Sequence, residues 1–323
     1  MKVGIFGPGA YGSSLAEALV YNNNEVMMWT PFEEERAYIE KTRLIKSLPG
    51  IKINDKIKIT TDLDEILSFS KLLIVAIPAK TVDGLFSKIG NKIDDKYICI
   101  ASKGIEEETG LFIHEVIGKY TNNQNIAILS GPSFAIDLIN KTKCGLSLAT
   151  NNDETATIFE QTLENDYLKV RVNHDIIGTE ICGAIKNVIA IASGMIDGLN
   201  SSESTKAMLL TEALHDMEKI IVEFGGSERT ILSYAGFGDL ILTASSTKSR
   251  NYCFGKLIGQ NSTKEEIQEY LKENTVEGYN TLLSIYKLLR EKKIKIPMIN
   301  LIYQIIVQGK PAEEILKFLI EKD

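Results

Sequence analysis

The sequence predicts an α/β chain, with a doubly wound sheet over residues 1–173 and an all-α domain over residues 174–323. Three observations predict it. Through the first half, short apolar runs alternate with amphipathic segments, the pattern of strand–helix units in a parallel sheet. One run, Leu72-Leu73-Ile74-Val75-Ala76-Ile77, is apolar at every position, as a strand covered on both faces must be. From about Asp175 the apolar residues recur at helical spacing instead: Ile177, Ile181, Ala184, Ile185, Val188, Ile189 and Ala192.

Taken in order, strands are expected at residues 2–6, 25–29, 71–77, 97–101, 125–129, 145–149 and 167–172, each a short apolar or β-branched run. Helical patterns lie between them at 12–21, 81–89 and 153–164, and Asn22-Asn23-Asn24 reads as a turn between helix and strand. In the second half a helix over 205–224 is stopped by Gly225-Gly226. Ser262-Thr263-Lys264-Glu265 reads as a capping box opening another. Further helices are expected at 281–292, 300–307 and 312–320.

Composition excludes several classes. Thirty-six Lys and Arg against 43 Asp and Glu leave a net charge of −7, so neither nucleic acid nor an anionic membrane is expected as main partner. Cys99, Cys144, Cys182 and Cys253 are far apart, as are His114, His174 and His215. With no CxxC or HExxH spacing, small buried thiols are expected and no metal site. The N-terminus runs straight into the first strand, leaving no room for a signal peptide. No apolar stretch approaches the roughly 18 residues of a membrane span. The expectation is a cytoplasmic protein without an integral membrane segment.

Gly7-Pro8-Gly9-Ala10-Tyr11-Gly12 fits G-x-G-x-x-G directly after the first strand and at the opening of a helix, the context that gives this motif its meaning. The first glycine permits the turn, the second lets backbone approach a pyrophosphate, and the third allows helix to pack on strand. The helix N-terminus adds N–H groups and the positive end of the helix dipole. The sheet is therefore read as Rossmann-type, and Gly7, Gly9, Ala10, Tyr11 and Gly12, with Trp29 at the end of the second strand, are the candidate cofactor contacts. Beyond Trp29 the sequence continues Thr30-Pro31-Phe32, with Glu33, Glu34, Glu35 and Arg36 a few residues on. A carboxylate there favours a free ribose hydroxyl and an arginine a 2′-phosphate; residues 33–36 also read as the solvated start of a helix. NAD and NADP both stay open.

Hydride transfer to a carbonyl needs a proton donor and groups that hold the substrate. Ser102-Lys103-Gly104 follows a buried strand, where ligands to such sheets gather. Lys186 and Asn187 interrupt a run of small and apolar residues over 183–192, so the lysine either snorkels to solvent or is held in a pocket. Asp239 lies in Gly236-Phe237-Gly238-Asp239-Leu240, where it is either a helix N-cap or a buried carboxylate that needs a cation. Arg250 either forks a phosphate or sits on the surface.

Together these segments resemble the NAD(P)-dependent glycerol-3-phosphate dehydrogenases over essentially the whole chain. The matching stretches are residues 7–12, Ser102-Lys103-Gly104, residues 130–135, residues 183–192, residues 236–243, Ser249-Arg250-Asn251 and Val276-Glu277-Gly278-Tyr279. The resemblance implies interconversion of dihydroxyacetone phosphate and sn-glycerol 3-phosphate with NAD or NADP, feeding glycerophospholipid synthesis. It implies Lys186 as the acid–base residue, with Lys103 and Asp239 lining the reacting centre. Gly131, Ser133, Asn187, Thr243, Ser249, Arg250 and Asn251 are implied as substrate contacts. Lys103, Ala135, Arg250, Val276 and Glu277 are implied as cofactor contacts. Cations crowded around one small phosphorylated substrate would disfavour the charged form of each lysine and draw the anion into an acidic protein.

The chain departs from the family pattern at Ile136-Asp137, where bacterial members often carry Lys-Glu. Ser201, Ser202 and Glu203 stand where a glycine-rich loop is usual, and Glu212 where a basic residue is common. The rival readings are a related two-domain β-hydroxyacid dehydrogenase and a non-catalytic dinucleotide-binding redox sensor. Arg250 with Thr243 and Asp239 argues against the first, and Lys103, Lys186 and Asp239 would have no purpose in the second. Apolar faces in excess of one small core suggest a homodimer.

Overall fold

The structure is a computed structural model and describes residues 1–321. The chain forms two compact units, one of residues 1–103 and 113–176, the other of residues 104–112 and 177–323. The expected division at 173 and 174 thus lies at the end of the last strand of the first unit, and a short excursion at 104–112 packs with the second. Phe112 supplies the reason: its ring meets Phe224 edge-on at 5.7 Å.

The first unit runs β1 (Lys2–Phe6), α1 (Ala10–Tyr21), β2 (Glu25–Trp29), α2 (Glu33–Thr42), β3 (Leu44–Ile45), β4 (Leu48–Lys52), β5 (Lys58–Thr60), α3 (Leu63–Phe69) and β6 (Leu72–Val75). It continues α4 (Ala79–Ile89), β7 (Tyr97–Ile100), α5 (Ile113–Gly118), β8 (Ile126–Ser130), α6 (Ala135–Ile139), β9 (Cys144–Ala149), α7 (Asp153–Leu163) and β10 (Leu168–Asn173). Among the described residues, eight strands form one sheet in the order β10-β9-β8-β7-β6-β1-β2-β5. β1 pairs in parallel with β2 on one side and β6 on the other, so the chain order reverses beside β1. That reversal opens a crevice at the carboxyl ends of the strands.

β8 and β9 run antiparallel, which makes the sheet mixed. Residues 131–143 join the two strands through a loop and the short α6, which does not carry the chain back along the sheet as a full crossover helix does. β5 and the β3–β4 hairpin have no counterpart among the expected strands. They are short, and Lys46, Pro49, Gly50 and Lys52 interrupt any alternation of apolar residues.

The second unit is helical: α8 (Ile176–Gly198), α9 (Glu203–Glu223), α10 (Asp239–Ala244), α11 (Arg250–Gly259), α12 (Lys264–Glu273), α13 (Glu277–Glu291), α14 (Pro297–Gln308) and α15 (Glu314–Glu321). A 3₁₀ turn (Glu228–Leu232) and a π turn (Tyr234–Gly238) lead into α10. The capping box forms one residue later than expected, with Thr263 as N-cap and Glu266 closing it. α8 is buried on nearly every side, enclosed by its neighbours, and most of its residues are small or apolar. By length and composition it is the one helix among the described residues that could cross a bilayer, but 89% of its apolar window is buried within the fold. Its glycines and alanines escape a search for long apolar runs.

α8 and α11 cross almost backbone to backbone. A Cβ on Gly194 would lie 2.0 Å from the Tyr252 carbonyl oxygen, and one on Gly255 would lie 1.9 Å from that of Ile191. A Cβ on Gly198 would lie 2.3 Å from the Lys256 carbonyl oxygen, and one on Gly259 2.2 Å from that of Met195. Two glycine pairs four residues apart therefore seat one helix in the other, where any side chain would hold them apart.

Candidate active site

In the first unit, the turn after β1 is built by two glycines and left open by the third. Gly7 has φ 103°, and a Cβ on it would meet the Ala76 carbonyl oxygen at 2.6 Å. A Cβ on Gly12 would fall 2.1 Å from the carbonyl oxygen of Gly7. Gly9, the N-cap of α1, would meet nothing within 4 Å among the described residues, and no side chain caps the helix. Fold packing accounts for Gly7 and Gly12 but not for Gly9, whose open face leaves room for a ligand. The first-turn N–H groups of a helix have no intrahelical acceptors, so these residues fit a dinucleotide pyrophosphate.

Other candidates gather at the same helix end. The hydroxyls of Tyr11 and Ser133 share a hydrogen bond at 2.9 Å, and Ser14 Oγ donates to the Ala135 carbonyl at 2.8 Å. Lys103 Nζ lies 6.0 Å from the centre of the Tyr11 ring. Gly131 packs on β9, where a Cβ would meet the Gly145 carbonyl oxygen at 2.8 Å. Trp29 is buried; its carbonyl accepts from Gly7 N–H at 3.0 Å, and its indole N–H donates to Thr61 O at 3.0 Å. It forms part of the floor of the loop.

In the second unit, α8 carries Lys186 into the interior, where the side chain is 8% exposed. Its ammonium donates to Asp239 Oδ1 at 2.5 Å and to Thr243 Oγ1 at 3.0 Å. The residue therefore does not snorkel. Gly238 holds the N-cap position of α10, and the Asp239 carboxylate turns to Lys186 instead. Thr243 lies one helical turn beyond Asp239 and donates back to it at 3.3 Å. The π turn before α10 needs Gly236, whose Cβ would meet the Ile231 carbonyl oxygen at 2.3 Å. A carboxylate this close stabilises the ammonium and repays part of the cost of burying it.

Asn187 starts a second cluster. Its Oδ1 accepts from Asn251 Nδ2 at 3.0 Å, Asn251 Oδ1 accepts from Gly278 N–H at 2.9 Å, and Asn187 Nδ2 approaches Glu277 Oε2 at 3.5 Å. These bonds tie the middle of α8 to the N-terminal ends of α11 and α13. Gly278 allows it, since a Cβ there would sit 2.6 Å from the Asn187 carbonyl oxygen. Ser249 Oγ caps α11 by accepting from Tyr252 N–H at 3.3 Å. Arg250 opens that helix with an exposed side chain, and Val276 is the buried N-cap of α13 beside Glu277. Lys186, Asp239 and Thr243 thus form one cluster, Asn187, Asn251 and Glu277 another, while Arg250 belongs to neither.

Sequence reasoning missed the Tyr11–Ser133 contact, which joins residues distant in the chain and has no local signal. It also missed Gly194-x-x-x-Gly198 and Gly255-x-x-x-Gly259, whose spacing is legible.

Two family models match the chain. One describes the NAD-dependent glycerol-3-phosphate dehydrogenase N-terminus and covers residues 2–156; the other describes the C-terminus of the same enzyme and covers residues 175–317. A glycerol-3-phosphate dehydrogenase (NAD(P)+) of Staphylococcus epidermidis is 32% identical over 100% of this chain and 98% of its own length. One of Halothermothrix orenii is 33% identical over 96% and 91%. A crystal structure of glycerol-3-phosphate dehydrogenase from Coxiella burnetii superposes with a TM-score of 0.92 at 26% identity, covering 99% of both chains.

Proposed function

The chain belongs to the NAD-dependent glycerol-3-phosphate dehydrogenases, and from that premise we propose that it interconverts dihydroxyacetone phosphate and sn-glycerol 3-phosphate with NAD(P)H, Lys186 acting as acid and base. The observation that carries the reading is the buried cluster in which Asp239 and Thr243 hold the Lys186 ammonium.

When bound, a reduced nicotinamide would supply hydride to the substrate's carbonyl carbon. As that carbon accepts the hydride, its oxygen gains negative charge and needs a proton. The Lys186 ammonium gives one, and in the reverse direction the neutral amine takes the hydroxyl proton. Asp239 keeps the nitrogen charged until transfer and fixes its direction; Thr243 holds a second N–H. Asn187 follows Lys186 on the same helix, and the Asn251–Gly278 hydrogen bond keeps it oriented towards Glu277. Arg250, at the start of α11, is proposed to meet the substrate phosphate in concert with that helix end. Lys103, Gly131 and Ser133 of the first unit are assigned to substrate in the same reading, and residues 7–12 with Ala135 to the dinucleotide.

A cytoplasmic homodimer feeding glycerophospholipid synthesis goes with this proposal. Exposed Leu232, Phe237 and Ile241 in the second unit support the dimer; a monomer mass in light scattering would argue against it.

The test follows the absorbance of the reduced nicotinamide with purified protein and dihydroxyacetone phosphate, and identifies the product. Substrate-dependent oxidation yielding sn-glycerol 3-phosphate is expected. A folded protein that binds dinucleotide but reduces only other carbonyl acids would shift the assignment to a related reductase.

A further inference from the structure

We infer that the amino ends of the strands hold a second ligand site, a cationic cleft that takes a small amphiphilic anion. The acidic head of that ligand sits on Lys2 and Lys71, and its apolar part lies against Phe69.

The parallel register sets a row of charges. Lys2 opens β1 and Lys58 opens β5, while Lys71 and Lys96 immediately precede β6 and β7. Val3 pairs with Leu72, and Leu72 with Tyr97. Lys2, Lys71 and Lys96 therefore stand side by side on three adjacent strands, their backbones roughly 4.8 Å apart. Glu25, level with Lys2 on β2, is the one acidic residue in the row. Among the described residues, Lys2, Lys58 and Lys71 make no ion pair, although the chain as a whole carries a net charge of −7. Lys2 and Lys58 instead place their ammonium groups 5.4 Å from the centre of one ring, that of Phe69. Lys96 is committed: it donates to Leu67 O at 2.9 Å and lies 3.7 Å from Asp95 Oδ1.

These residues line an open cleft of about 390 Å³, in which Lys2, Lys71 and Lys96 face Leu67, Phe69 and Leu72. Leu67 and Leu72 are buried and Phe69 is half-buried. An apolar wall with a few convergent charges is the make-up of a small-molecule site. A bare anion would leave the wall wet, and a neutral apolar molecule would leave the ammonium groups uncompensated. A phosphate or carboxylate carrying an apolar chain meets both demands, with charge-assisted hydrogen bonds to the lysines and burial of its chain on Phe69. The cleft is also separate from the phosphate loop. Lys2 and Gly7 stand at opposite ends of β1, roughly 16 Å apart at the rise of an extended strand.

Calorimetry on the purified full chain tests this, with octyl phosphate below its micelle concentration, inorganic phosphate and octyltrimethylammonium as probes. Octyl phosphate is expected to bind, inorganic phosphate at least about tenfold more weakly, the worth of two buried methylenes, and octyltrimethylammonium not at all. Lys2→Gln and Lys71→Glu change exposed side chains, so melting, turnover and NADH affinity should stay as in the parent. Each should weaken octyl phosphate by roughly tenfold, the loss of one charge-assisted hydrogen bond. Because turnover and NADH affinity are read in the same variants, octyl phosphate held at the substrate's own site is told apart: its affinity would be unchanged in both. That result, or equal affinity for the anionic and cationic probes, would overturn the inference. Binding to phosphatidylglycerol vesicles without binding of monomeric octyl phosphate would overturn it in favour of a membrane surface.

Discussion

Lys186 Nζ and Asp239 Oδ1 are 2.5 Å apart, with both side chains almost wholly enclosed. Desolvating two charges costs about what their attraction returns, so such a pair adds little net stability. Its value lies in holding an ammonium in a fixed direction, with Thr243 as the third member. Breaking half of it is a different matter, because one charge is then left buried and unpaired.

Asp239→Asn should therefore cost about 3–5 kcal/mol in the second unit, read as a lower melting temperature. Turnover should fall with it while the dinucleotide binds as before. Wild-type melting and turnover together would show the pair to be incidental.

Gly255→Ala tests the helix crossing. The new methyl would stand 1.9 Å from the Ile191 carbonyl oxygen, and backbone yields less easily than a side chain. A loss of about 3 kcal/mol or more is expected, at the upper end of the cost of overpacking. Displacing α11 from α8 also strains the Asn187–Asn251 contact, so substrate KM should rise in whatever fraction stays folded. Unchanged melting would contradict the close approach of the two helices.

How far the sequence reaches is plain from particular residues. β1 and β2 are legible to the residue because Lys2–Phe6 and Glu25–Trp29 are clean apolar runs bounded by a glycine loop, an asparagine turn and a proline. β5 is not, since three residues carry no period. The antiparallel β8–β9 pairing depends on how the intervening segment packs, which composition does not encode. Lys186 and Asp239 could each be singled out as charges in apolar surroundings. Whether Lys186 reached solvent or a pocket, and whether Asp239 capped a helix or paired with a cation, required the fold, because the two lie 53 positions apart in the chain.

The phosphate loop separates packing from binding. Gly12→Ala should destabilise the first unit, since its methyl would meet Gly7 O at 2.1 Å. Gly9→Ala should leave melting nearly unchanged, with nothing within 4 Å among the described residues, yet weaken dinucleotide binding by about tenfold or more, the scale of lost close approach to a charged group. Unaltered affinity in Gly9→Ala would remove the loop from the binding surface.

The cysteines should be slow to alkylate at neutral pH. Burial pushes the Cys99 thiol well above its usual range and that of Cys144 up to about 11, and burial raises Cys253 as well. The reactive thiolate is therefore scarce at each of the three. Iodoacetamide should leave activity intact over a time that fully labels the unfolded chain. Rapid labelling at any one of these sites, with loss of turnover, would contradict this environment.

The central claim, that Lys186 moves the proton, is tested most directly by kcat for Lys186→Ala and Lys186→Arg beside the NADH affinity of each. Arginine keeps a cation for Asp239 but does not release its proton, so it separates proton transfer from charge pairing. Both variants should lose turnover by roughly 10²–10⁴-fold, the usual range for a general acid, with NADH bound as in the parent and the arginine form the more stable of the two. Turnover near the parent's in either folded variant would contradict the claim.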